Sequence, residues 1–124
     1  MNVSPERFEQ IVFDEADAVL DQLSPALRAE AETVLLLVED QPGPEHDPGE
    51  RRMLLGLYEG VPLIDRHADS LLIMPDRITL YRLALQSLAR TEIELRQRVR
   101  RTLIHELAHF FGRDEDELAD RGWA

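Results

Sequence analysis

From Thr91 to Gly112 the chain carries complete punctuation for one long helix. Thr91-Glu92-Ile93-Glu94 reads as a capping box, neither Pro nor Gly interrupts the run, and Gly112 stands where a left-handed residue ends a helix. Val99, Leu103, Leu107 and Phe110 fall on one apolar stripe, and Ile104, Ala108 and Phe111 widen it. Any fold must bury that stripe against other elements. The polar side is constrained as well, because residues 105–112 spell His-Glu-Leu-Ala-His-Phe-Phe-Gly.

His105 and His109 are four apart, so on a helix both imidazoles leave one face, roughly 5 to 6 Å from each other. One zinc ion needs such a bite, and Glu106, about 100° further round, is placed to take a proton from water rather than to bind metal. Taken alone, two histidines on a half-buried helix are ordinary polar residues. With Glu between them and a helix-ending Gly three residues on, the metal reading is preferred. A catalytic zinc site usually has three protein ligands. No His follows His109, so a downstream third ligand must be a carboxylate. Counting along H-E-x-x-H-x-x-G-x-x-(H/D) selects Glu115, with Asp116 and Asp114 next; these acids also suit the first turn of a short final helix. His46, in a loop rich in Pro and Gly over 41–52, is the alternative third ligand, or a solvated loop residue.

Upstream, Ser4-Pro5 caps and opens a first helix to about Leu23, with Phe8, Ile11, Val12, Val19 and Leu20 at a spacing that suits packing on a sheet and a polar Glu15 among them. A short helical turn is expected over 25–31. Residues 33–38 read as a buried strand, 54–58 as a strand and 71–74 as a third. Residues 78–82 alternate apolar and polar. The stretch 77–82 is therefore either an exposed edge able to receive an extended peptide or an inner strand covered by the first helix. Tyr81 in it would stabilise an oxyanion or simply pack. Arg98 and Arg101, on nearly the metal-bearing side, would orient a substrate carboxylate or, the preferred reading, form a solvated face paired with Glu94.

These elements predict an α+β fold in a single domain over 1–124: an N-terminal helix and a small mixed sheet packed with a long helix carrying HExxH. The motif region 102–118, with Leu55-Gly56-Leu57-Tyr58-Glu59-Gly60-Val61-Pro62-Leu63 and Pro75-Asp76-Arg77-Ile78-Thr79-Leu80-Tyr81-Arg82, resembles the small bacterial zincin-like metallopeptidases called minimal zincins. The resemblance covers roughly residues 5–120. It implies zinc ligands at His105 and His109, a general base at Glu106 and the third-ligand carboxylate at Glu115. Residues 113–124 contain no Met, a departure from the related metzincins and their Met-turn.

Composition narrows the class. Among 124 residues, 25 acidic against 14 basic side chains give a net charge of −11, which argues against nucleic-acid backbone binding and for solubility or a cationic partner. No cysteine is present, so thiolate ligands and disulfides are excluded, as expected of a cytoplasmic protein. No leader-like segment and no membrane-length apolar run is expected. The function expected is zinc-dependent hydrolysis of a peptide or protein substrate, with Glu106 accepting the proton of an activated water. A non-catalytic metal-binding or interaction protein on the same scaffold is the alternative.

Overall fold

A computed structural model describes residues 1–46, 53–60 and 75–112. The strand expected at 71–74 and the acids Asp114, Glu115 and Asp116 lie outside the described residues. Ser4 Oγ accepts from the Arg7 N–H at 3.1 Å and starts α1 (Pro5–Asp21), ending two residues before the expected limit. Ser24 Oγ caps Leu27 N–H at 3.3 Å and starts α2 (Pro25–Ala31), as read from the sequence. Then follow β1 (Leu35–Glu39), β2 (Gly56–Glu59), β3 (Arg77–Tyr81), α3 (Arg82–Ser87) and α4 (Glu92–Phe111). Among the described residues no helix is long and apolar enough to cross a membrane.

Among the described residues the sheet is mixed, in the order β1-β3-β2, with β1 parallel and β2 antiparallel to β3. This overturns the edge reading of 77–82, since β3 lies between two partners. Ile78, Thr79, Leu80 and Tyr81 are all nearly inaccessible. Thr and Tyr bury well on a pleated surface despite their hydroxyls, so period-two alternation did not mark a wet face. The continuous apolar run instead forms an edge: Leu35 is 49% and Leu37 40% exposed, while Leu36 and Val38 pack on the core. The expected buried strand is thus covered on one face only.

The apolar face of α1 packs chiefly on α4 rather than on the sheet. Phe8, Ile11, Val12 and Val19 are buried with Leu95, Val99, Leu103 and Phe110 in one core, each such side chain contributing about 1.5–3 kcal/mol. An apolar cavity of ≈ 200 Å³ lies among α1, α2, β1 and α4. Glu15, the polar intruder in the α1 stripe, is 8% exposed and accepts from Arg96 at 3.1 Å and Arg100 at 3.0 Å, both on α4. The two helices are therefore joined by charge as well as by apolar contact.

Two glycines set the spacing at β2. A Cβ on Gly56 would stand 2.7 Å from Thr102 Cγ2 and 3.0 Å from Leu80 Cδ2, so β2 can approach α4 this closely only without a side chain there. Gly60 has φ 151°, and a Cβ on it would run into Asp76 Oδ1.

Candidate metal centre

Thr91 Oγ1 accepts from Glu94 N–H at 3.2 Å to open α4, and Gly112 closes it in the left-handed region at φ 71°. The Glu94 carboxylate reaches back to the Arg90 N–H at 2.8 Å, one residue before the reciprocal position of an ideal capping box. Between these caps the helix buries Val99, Leu103, Leu107 and Phe110 and leaves His105 and His109 exposed. Burial of one side thus fixes which way the imidazoles face.

The two rings stand at a centroid separation of 4.8 Å and 77° to each other, with Nε2 of His105 and Nε2 of His109 3.2 Å apart. Two nitrogens bound to one tetrahedral zinc at ~2.0–2.1 Å would be about 3.3 Å apart. The separation of the two nitrogens therefore matches the bite of one zinc ion. His105, Glu106 and His109 each offer a ligand atom within 4.8 Å of the others.

Glu106 is different in kind from its neighbours, being 7% exposed. Burial pushes its carboxyl above the ordinary carboxylate range, while the charges of His109 and His105 and a hydrogen bond from the Tyr58 backbone N–H pull it back. That hydrogen bond follows from strand register. Tyr81 N–H donates to Leu55 O, so Leu55, Leu57 and Glu59 pair with β3, and the backbone groups of Gly56 and Tyr58 point to the outer edge of β2. The Tyr58 ring packs edge-on against Phe110 at 6.1 Å, fixing the strand on the helix.

An open cleft of ≈ 380 Å³ runs along this junction, lined by Leu54, Leu55, Gly56, Arg101, Thr102, His105 and Glu106. β2, an edge strand among the described residues, forms one wall, and that edge was missed in the sequence. Its signal was Gly56, a glycine inside a strand, which marks close approach of another backbone.

Other expected participants are elsewhere. His46 Nε2 lies 3.2 Å from Glu59 Oε2, and Arg77 holds the same carboxylate at 3.0 and 3.2 Å. Since Tyr58 faces α4, alternation turns Glu59 away from it, and His46 is not among the groups that meet His105 and His109. Its role as a third ligand is therefore not supported. Tyr81 is 2% exposed and packs, its phenol pushed up by burial. Among the described residues neither Arg98 nor Arg101 forms an ion pair, contrary to the expected pairing with Glu94, whose carboxylate is engaged at the helix cap.

A family model described as zincin-like metallopeptidase matches residues 31–123, well over half of the chain, and leaves α1 outside the match. No curated protein matches the chain.

Proposed function

Because the chain belongs to the zincin-like metallopeptidase family, we propose that it is a zinc-dependent peptidase in which Glu106 is the general base. The observation that carries this reading is the 3.2 Å separation of two exposed imidazole nitrogens beside a buried carboxylate, with His105 and Glu106 lining an open cleft. A zinc ion bound there supplies Lewis-acid polarisation and eases loss of a proton from water. His105 and His109 hold it as neutral imidazoles through Nε2. The third protein ligand falls to the acids after Gly112, Glu115 first and Asp116 or Asp114 otherwise.

Glu106 accepts the proton of the attacking water and returns it to the leaving amine. Its raised affinity for a proton, a consequence of burial, suits that exchange. The Tyr58 N–H occupies one side of the carboxylate and so orients the other. An extended peptide lies along the outer edge of β2, pairing with the outward backbone groups of Gly56; β2 replaces β3 as the receiving edge. A cytoplasmic setting belongs to the same reading, resting on a cysteine-free composition.

Zinc content of protein purified without chelator, measured beside cleavage of a peptide library, tests the reading. Glu106→Gln should keep zinc and lose turnover at least about 100-fold, while His109→Ala should lose both. A Glu106→Gln variant as fast as the parent overturns the base assignment. Stoichiometric zinc with no cleavage of any peptide selects a non-catalytic metal protein.

A further inference from the structure

Arg101 is the one cationic side chain lining the cleft among the described residues. It is exposed, stands one turn before His105 on α4, and with Arg98 also lines an adjoining hollow of ≈ 190 Å³. Arg7, Arg28, Arg77, Arg82, Arg96 and Arg100 each hold a carboxylate. Among the described residues Arg90, Arg98 and Arg101 hold none, and of these three only Arg101 lines the cleft. The acid bordering the same hollow, Glu94, is engaged with the Arg90 N–H at 2.8 Å. Arg98 and Arg101, neither paired with an acid among the described residues, bring two positive charges against the one of Glu94 to this hollow, on a protein of net charge −11.

We propose that Arg101 is a specificity-determining residue that binds a carboxylate of the substrate, with Arg98 reinforcing the field. The proposal rests on the peptidase reading and names its substrate class: peptides with a negative charge close to the scissile bond. Four helical residues separate Arg101 from His105 by about 6 Å along the axis, and one to two residues of extended peptide, at ~3.3 Å each, span that distance. The side is also set. Gly56 faces Thr102 and Tyr58 meets Glu106 and Phe110, so β2 and α4 run in the same sense. A peptide paired antiparallel to β2, the more stable pairing per residue, points its C-terminal end toward Arg101. The carboxylate therefore belongs to the leaving side of the bond and is either an Asp or Glu side chain or the terminal carboxylate. The guanidinium fork matches both.

The test is equilibrium binding of labelled peptides to chelator-treated protein by fluorescence anisotropy at low salt, with matched Glu and Gln peptides, each as free acid and as amide. Acid-bearing peptides should bind about tenfold or more tightly than neutral ones, the reverse of what the net charge of the protein would favour. The Glu/Gln arm and the acid/amide arm separate a side chain from a chain end. Arg101→Gln should erase the preference, Arg101→Lys should keep part of it, and Arg90→Gln, the same change of charge away from the cleft, should keep all of it. On the zinc-loaded protein Arg101→Gln should raise KM for acidic peptides and leave neutral ones unaffected. Absence of an acid preference in the parent, a preference for basic peptides, or a preference that survives Arg101→Gln overturns the proposal. A preference that vanishes in Arg101→Gln while no peptide is ever cleaved leaves the assignment standing and rejects the peptidase reading alone.

Discussion

The Thr102 methyl occupies the space a side chain on residue 56 would need, its Cγ2 2.7 Å from the Cβ position of Gly56. The distance between β2 and α4, and with it the width of the cleft, is set by this contact.

Gly56→Ala should therefore force β2 away from α4 and destabilise the protein by about 1–3 kcal/mol. It should also weaken the Tyr58 N–H bond to Glu106, which lies on the same strand. Adding Thr102→Ser removes the clashing methyl and should recover part of the loss, while Leu80 still crowds the site. Denaturant melts of the two single variants and the double variant measure the coupling; strictly additive effects would contradict the contact.

Zinc should bind the folded chain and raise its melting temperature. At a free concentration 100 times the dissociation constant the stabilisation is about 2.7 kcal/mol, and it disappears on adding a chelator. His105→Ala and His109→Ala should each abolish the shift while melting near the metal-free parent, because both rings are exposed. A shift of equal size in His105→Ala would sink the assignment of that ligand.

Loss of the Glu15 carboxylate should cost about 1–2 kcal/mol in Glu15→Ala. That is less than for a fully buried pair, because Arg96 and Arg100 are 28% and 43% exposed and can solvate. Glu15→Leu should cost less than Glu15→Ala, since Leu extends the apolar stripe of α1. Thermal melts of the two variants decide it; equal losses would show that the arginine links dominate.

Acid should destabilise the fold through Glu59 and Asp40. Arg77 beside Glu59 and Arg82 beside Asp40 hold both carboxyls below the usual range. In the unfolded chain these groups take up protons first, so their contribution is complete above the ordinary carboxylate values, about pH 4, and is lost as pH falls through the lowered ones. Glu106 acts in the opposite sense, because its raised carboxyl is protonated more readily when folded. Melting temperature against pH should fall below about pH 4, and Arg77→Gln should flatten that limb. An unchanged slope in Arg77→Gln would remove Glu59 from the account.

What could be read from the chain beforehand divides along the range of the interactions. The α4 helix, with Thr91 and Gly112 at its ends and two imidazoles on its polar side, is written in local signals, and so are the starts of α1 and α2 at Ser4 and Ser24. Strand order is not local. The apolar run of β1 suggests a buried strand and the alternating run of β3 leaves edge and inner positions open; the pairing puts β1 at an edge and β3 inside. The six-residue α3 passed unnoticed, being too short to show a period. Glu15 looked like a flaw in the α1 stripe because its partners are 81 and 85 residues away on α4. The cleft wall was hidden for the same reason, since only the register of β2 against β3 turns Gly56 and Tyr58 outward.

The backbone amide that β2 gives to Glu106 is a rung withheld from any visitor. On a strand of four residues, with alternate positions turned inward, that leaves an incoming chain little anonymous grip, each remaining rung worth about 1 kcal/mol. On the proposed peptidase reading, so short an edge would choose its clients by their side chains or ends rather than by backbone alone.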